Sequence, residues 1–113
     1  MKFGNFFKWF RKKPRLFRHG DLLIREIHSL PHTAKLIHTN IIAEGEKTGH
    51  NHMLHGSHQI YETVDNQIHF EAMQELEIKH PEHNTIIIPK GIYTVVHEIS
   101  WNPFEDREVE VLD

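Results

Sequence analysis

The sequence predicts an all-β fold, a small antiparallel β-barrel or jelly roll, preceded by a short N-terminal amphipathic helix. Beyond residue 18, apolar residues fall in short runs of strand length, several of which alternate with polar residues. Gly, Pro, Asn and Asp stand between these runs, where the chain has to turn tightly. The same region shows no convincing helical periodicity. A pattern of about eight short strands separated by turn signals is typical of small antiparallel domains.

The predicted strands follow one another with short connections. The first covers residues 22–27, and the apolar pieces 35–38 and 40–43 lead into a stretch rich in histidine. Later strands are predicted over residues 59–63, 67–73, 75–79, 85–88, 92–99 and 107–112, the last of them as an exposed edge strand. Residues 101–104 carry two large aromatic side chains and are predicted to cover one end of the core.

Two segments carry more specific expectations. Val64, Asp65 and Asn66 predict a hairpin turn, after which Ile68 and Phe70 face the core and His69 faces solvent or a site. Residues 85–88 are a continuous β-branched run, which predicts a strand that is buried on both faces or closes a barrel.

Composition limits the classes of protein to consider. A chain of 113 residues is enough for one domain with a single core. The absence of cysteine excludes disulfides and thiolate catalysis, and it is compatible with a reducing compartment, so we expect a cytoplasmic location. Residues 1–18 contain seven Lys or Arg and no acid, which leaves a formal charge of −10 on the rest of the chain. We therefore divide the chain into a cationic arm, 1–18, and a β-barrel domain, 19–113.

The arm is predicted to begin with an amphipathic helix. Phe3, Phe6, Phe7 and Phe10 have the spacing of one helical face, and Pro14 ends the pattern. Residues 1–13 could lie on an anionic membrane surface, or they could pack on the protein's own body or on a neighbouring copy. We expect a homo-oligomer or a larger protein complex, with peripheral membrane contact as the alternative. Nucleic acid is the least favoured partner, since the body is anionic.

The most informative stretch contains His50 and His52, flanked by glycines at positions 45, 49 and 56. Three glycines in twelve residues disfavour a helix, and in an extended chain His50 and His52 lie on the same face. Two imidazoles on one face make half of a metal site.

Further ligands must come from other strands. His80 and His83 form the best second cluster, His97 and His69 are reserves, and Glu46 or Glu62 could add an oxygen. Nitrogen ligands without sulfur suit Zn, Fe(II), Mn, Ni or Cu, and the sequence does not select one of these divalent transition metals. The alternative is that these histidines are surface or hydrogen-bonded loop residues. His19, His28, His32 and His38 are expected to have no special role.

Several of these residues belong to motifs with a family resemblance. Gly45 to His52 resembles the first cupin motif, and residues 84–91 resemble the start of the second. The chain is also similar to small uncharacterised bacterial and phage proteins that share His19-Gly20-Asp21-Leu22-Leu23, the segment Ala43 to His52, and His80-x-x-His83. The resemblance covers residues 19–113 and implies a small cupin-like β-barrel, without implying an activity. Two cupin ligands are missing here: His55 and Gly56 occupy the region of the usual glutamate, and Tyr93 stands near the place of the later histidine.

These observations predict a cupin-like, metal-binding protein with His50, His52 and His83 as core ligands and His80 or His97 completing the set. Catalysis on a small molecule is left open, and no catalytic residue is assigned. The alternative is a non-catalytic assembly or adaptor subunit that attaches through its arm to a membrane, a larger enzyme or its own copies. A third interpretation, pH sensing by the histidines, ranks below both.

Overall fold

The computed structural model describes residues 13–44 and 50–97, which form ten strands in two antiparallel sheets. The strands are β1 (Leu16–His19), β2 (Leu22–Ile27), β3 (Lys35–Ile37), β4 (Ile41–Glu44), β5 (Asn51–His55), β6 (His58–Glu62), β7 (Ile68–Ala72), β8 (Leu76–His80), β9 (His83–Ile88) and β10 (Gly91–His97). These two ranges contain no helix. The prediction of an all-β, antiparallel fold is confirmed for this part of the chain.

The chain passes back and forth between the two sheets. The larger sheet has the strand order β1-β2-β10-β7-β6-β3, and the smaller sheet has the order β4-β5-β8-β9. After β3 the chain contributes strands in pairs to alternate sheets, and this arrangement is consistent with a sandwich or jelly-roll-like fold. The described strands do not close into a barrel, because no strand pairing joins the two sheets. The predicted closed barrel is therefore corrected to two separate sheets.

Apolar side chains from both sheets form one core. The large side chains of this core are no more than 2% exposed and come from every strand except β1 and β3. They are Leu22, Ile24, Ile42, Leu54, Ile60, Phe70, Leu76, Ile78, Ile88 and Tyr93. Burying one such side chain contributes about 1.5–3 kcal/mol of transfer free energy, so this core supplies the main stabilising term. Phe70 and Tyr93 stack with ring centroids 5.2 Å apart, and the Tyr93 hydroxyl donates to the Pro89 carbonyl at 2.7 Å. Tyr93, near the place of a missing cupin histidine, is thus a core residue.

The β6–β7 hairpin forms as the sequence predicts. Glu62 pairs with Ile68 at the end of the ladder, and the Thr63 N–H donates to the Gln67 carbonyl at 3.0 Å across the turn. Asn66 has a φ of 64°, a left-handed conformation that asparagine tolerates better than most residues. His69 differs from expectation: its side chain does not face solvent, and the residue is 3% exposed.

The expectation that residues 85–88 are buried on both faces is wrong. Ile88 is buried, whereas Ile87 is 57% exposed. These residues belong to β9, an edge strand of the smaller sheet, which has one neighbour and one solvent-facing side. A run of β-branched residues therefore marked strand propensity here, and the position of the strand in the sheet determined its burial.

The remaining predictions about the chain ends fall outside the described residues. These are the helix within residues 1–13, the aromatic loop at 101–104 and the strand at 107–112. Leu16, Phe17 and Arg18, which the sequence assigned to the arm, lie in β1 and pair with β2. Arg15 forms an ion pair with Glu26 at 2.7 Å. Within the described ranges, no helix has the length and apolar character needed to cross a membrane.

Candidate metal centre

A histidine cluster lies where the β1–β2 turn meets the β8–β9 hairpin. Its members, His19, His50, His52, His80 and His83, come from both sheets or from the chain just before β5. The β1–β2 turn contacts the cluster directly. A Cβ atom on Gly20 would lie 2.5 Å from His83 Nε2, so only glycine allows this approach.

Three of these histidines, His52, His80 and His83, could hold a metal ion. One ring nitrogen from each lies within 4.8 Å of the others. In a tetrahedral site with metal–nitrogen bonds of about 2.0–2.1 Å, the nitrogens are about 3.4 Å apart. Any two nitrogens that are farther apart than this would have to move closer on binding a metal. His83 is exposed and His80 half-buried, so they have room to move, while His52 is fully buried and forms the inner end of the site.

Strand pairing explains why the three rings form a row. Met53 pairs with Lys79, so the next positions in this antiparallel register are His52 and His80, whose ring centroids are 4.4 Å apart. His80 pairs in turn with His83, with ring centroids 4.5 Å apart. The triad is therefore a cross-strand row over β5, β8 and β9.

A register shift in the β8–β9 ladder selects the third member of the row. Ile78 pairs with Ile86, and continuing that register would place Asn84 opposite His80. The shift between Ile78 and His80 pairs His80 with His83 instead. Shifts of this kind re-aim side chains, and here the shift exchanges an amide for an imidazole.

His19 holds His52 in one orientation. The His19 Nε2–H donates to the Asn84 carbonyl at 2.9 Å, since a carbonyl can only accept. In neutral His19, Nδ1 must then accept, and its partner is His52 Nδ1 at 2.9 Å. His52 therefore carries its proton on Nδ1 and its free electron pair on Nε2. A histidine ligand is commonly fixed in this way by a hydrogen bond at its other nitrogen.

Burial keeps both of these rings neutral. Burial, together with the charges of His19 and His80, lowers the pKa of His52 to about 4, against an opposing effect of Asp21. Burial also lowers the pKa of His19, and this effect outweighs the hydrogen bond to the Asn84 carbonyl. Neutral imidazole is the form that binds metal ions.

The free electron pair of His52 faces an anion. His52 Nε2 is buried and has no hydrogen-bond partner within the described part of the chain. The nearest carboxylate oxygen is Asp21 Oδ1 at 3.3 Å. Asp21 Oδ2 lies 3.9 Å from His97 Nδ1. A nitrogen lone pair and a carboxylate oxygen repel each other at this distance unless a proton or a metal cation lies between them.

His80 and His50 make contacts of their own. The backbone N–H of Glu82 donates to His80 Nδ1 at 3.0 Å, which orients the ring. Binding a metal through Nδ1 replaces this hydrogen bond, and binding through Nε2 requires Nδ1 to take up the proton. Either route removes one hydrogen bond, at a cost of about 0.5–1.5 kcal/mol. His50 Nδ1 lies 2.7 Å from Glu82 Oε1, and its ring centroid is 6.1 Å from that of His80.

The structure brings together most of the histidines that the sequence selected. His52, His80 and His83 form the triad, His50 lies at its edge beside Glu82, and His97 lies beside Asp21. The reserve residue His69 is buried in β7 of the larger sheet. Neither of its ring nitrogens has a hydrogen-bond partner among the described residues. Glu46 lies outside the described residues.

The sequence reasoning missed His19 and Asp21. His19 was expected to have no special role, and its buried contact with His52 contradicts that expectation. The motif His19-Gly20-Asp21 carries the signal, because glycine and aspartate are turn residues and the family resemblance includes this motif. The turn does form, and it also places an imidazole and a carboxylate beside a strand that follows about thirty residues later in the sequence.

Comparison with known proteins identifies a family without supplying an activity. No curated protein and no solved structure matches the chain. Residues 18–98 match the family described as "Domain of unknown function (DUF8820)". This range includes every member of the histidine cluster and both sheets except the first two residues of β1. The chain therefore belongs to the DUF8820 family of domains of unknown function.

Proposed function

We propose that this protein binds a divalent transition metal through His52, His80 and His83. The proposal rests on buried His52, whose Nε2 has no hydrogen-bond partner among the described residues. One ring nitrogen of His52 lies within 4.8 Å of a ring nitrogen of His80 and of His83. Leaving such an atom buried without a partner costs about 1–3 kcal/mol, and a coordinated cation would recover that cost. Three nitrogen ligands and no sulfur suit the metals that the sequence predicts, Zn, Fe(II), Mn, Ni or Cu, and do not select one of them.

The cupin resemblance is part of this proposal. His52 belongs to the segment that resembles the first cupin motif, and the second half of the site comes from the β8–β9 hairpin. Three protein nitrogens leave at least one position on the metal for a further ligand. A role for residues 1–13 in membrane attachment or assembly stays a prediction, as does pH sensing.

Metal analysis of protein that carries no histidine tag tests the proposal. The metal-free protein is titrated with Zn²⁺ and with Co²⁺, and the bound metal is measured by calorimetry and by Co²⁺ absorption. We expect one ion per chain. The double variant His80→Ala/His83→Ala should lose at least about a hundredfold in affinity, because two of three ligands are gone. Both side chains are at least partly exposed, so the fold should persist.

The matched control is His32→Ala/His55→Ala. It removes the same number of imidazoles from exposed positions outside the triad. Its affinity should equal that of the parent protein. Equal affinity in all three proteins, or no binding by the parent protein, would contradict the proposed site.

A further inference from the structure

We propose that Asp21 is a fourth, anionic metal ligand, so that the bound ion joins the first hairpin of the larger sheet to the smaller sheet. This inference depends on the proposed metal site and extends it beyond the three histidines. It also assigns His19 as the residue that positions His52.

The first step of the argument is the placement of Asp21. Its Oδ1 lies 3.3 Å from His52 Nε2, about the separation of two ligand atoms on one metal ion. His52 Nε2 has no hydrogen-bond partner in the described ranges, and its proton lies on the opposite nitrogen. A cation between these two atoms converts a repulsive contact into two bonds. Asp21 is half-buried, so its carboxylate needs little further desolvation to act as a ligand.

The second step is the position of the turn that carries Asp21. Gly20 has a φ of +63°, and the absence of a side chain there lets the turn rest against the imidazole of His83. The turn that carries Asp21 therefore contacts His83 at the exposed end of the site, while Asp21 itself lies beside His52 at the inner end. All three histidines of the triad belong to the smaller sheet, whereas Asp21 lies in the β1–β2 turn of the larger sheet.

The third step concerns the metal. Three imidazoles with one carboxylate form a donor set that suits Zn²⁺, Co²⁺ or Fe²⁺ better than Cu⁺, which prefers sulfur ligands. Four protein ligands fill the coordination sphere of a tetrahedral ion, as in structural zinc sites. The metal would then act as a cross-link between sheets that the described strands do not join by strand pairing. Such a cross-link stabilises the folded state, because the unfolded chain lacks the assembled site.

The test compares Asp21→Asn and Asp21→Ala with the parent protein, and Glu75→Gln serves as an exposed control that also removes one negative charge. Asparagine matches aspartate in size and suits the same turn, so this variant should fold. We expect Zn²⁺ affinity to fall at least about tenfold in both Asp21 variants and to stay unchanged in the control. Saturating Zn²⁺ should raise Tm by less in the Asp21 variants, and the visible bands of bound Co²⁺ should shift.

The same titrations test the positioning role of His19. Glutamine can accept from His52 Nδ1–H and donate to the Asn84 carbonyl, whereas leucine can do neither. We therefore expect His19→Gln to retain most of the Zn²⁺ affinity and the Co²⁺ spectrum, and His19→Leu to lose at least about tenfold in affinity. A role in packing alone predicts the reverse order, since leucine is the better core residue.

The outcomes separate this inference from the proposed function. If the parent protein binds no metal, the three-histidine site itself fails. If the parent protein binds metal and Asp21→Asn shows the same affinity, Tm gain and Co²⁺ spectrum, the histidine site stands and the fourth ligand is overturned. If Asp21→Asn does not fold without metal, the Co²⁺ spectrum of Asp21→Ala is compared with that of the parent protein instead. An identical spectrum overturns the fourth ligand.

Discussion

At the scale of single residues, the two buried histidines His52 and His69 differ in their surroundings. His52 is buried, and its Nε2 has no hydrogen-bond partner in the described part of the chain, but the ring belongs to a group of three imidazoles and lies beside Asp21. His69 is buried with both nitrogens unpaired, and no comparable set of donors surrounds it in the described residues. Burial lowers the pKa of His69, partly offset by Asp65, so its ring stays neutral in the fold. The sequence predicted His52 as a core ligand and His69 only as a reserve, because His52 belongs to the pair His50-x-His52. It did not indicate that His69 is buried.

We predict that His69→Leu leaves metal binding unchanged and increases stability. A buried polar atom without a partner costs about 1–3 kcal/mol, and leucine has no such atom, so the free energy of unfolding should rise by about 1 kcal/mol. Urea unfolding at pH 7 measures this change. His58→Leu is the comparison, because His58 Nδ1 lies 2.8 Å from the Gly56 carbonyl and this hydrogen bond would be lost. A fall in the free energy of unfolding of His69→Leu would contradict this prediction.

At the scale of elements, turns and register position the site. The β1–β2 turn contacts His83 because Gly20 has no side chain, and the β8–β9 ladder presents His83 because its register shifts. Gly20 and Pro81 indicate turns at these two places, and alternation predicted most strand positions. The sequence could not predict the register shift or the contact between the two turns, since neither depends on local sequence alone.

We predict that Gly20→Ala weakens metal binding. The new methyl group would lie 2.5 Å from His83 Nε2, and alanine is strained at a φ of +63°, so His83 must move away. We expect a loss of at least about tenfold in Zn²⁺ affinity and of about 1 kcal/mol or more in stability. Calorimetry and urea unfolding measure the two effects.

Gly56→Ala is the matched control for this prediction. It also has a positive φ, +133°, and its Cβ would lie 2.8 Å from Leu76 Cβ in the core rather than near the cluster. We expect a comparable loss of stability and an unchanged Zn²⁺ affinity for the folded protein. Equal losses of affinity in both variants would show that Gly20 acts through general stability.

At the scale of the whole molecule, neutral buried histidines connect stability to pH. The pKa values of His19, His52 and His69 are all lowered from 6.5 in the fold, that of His52 to about 4. In the unfolded chain these rings take up protons near pH 6.5, while in the folded protein they resist protonation. The unfolded state therefore binds more protons below this pH, and stability falls with falling pH.

We predict that these histidines make their full contribution to the free energy of unfolding of the metal-free protein above about pH 6.5. This contribution should be lost progressively as the pH falls to about 4. For His52 alone the loss is on the order of 3 kcal/mol, since one pKa unit corresponds to about 1.4 kcal/mol. Urea unfolding of metal-free protein between pH 4 and pH 8 gives the profile. His69→Leu should reduce the dependence of stability on pH, because one of the three histidines is removed. A stability that is independent of pH over this interval would contradict the burial of neutral rings.

The sequence by itself determined the all-β class, the order of most strands and the β6–β7 hairpin. It did so because alternation and turn residues are local properties of the chain. Its predicted ligands, His50, His52 and His83 with His80 or His97, include the three histidines of the triad. Only the tertiary structure decided that two sheets form in place of a barrel, that β9 is an edge strand, and that His19 and Asp21 lie beside His52. These features depend on which distant strands pair and which turns meet, and no local pattern specifies those contacts.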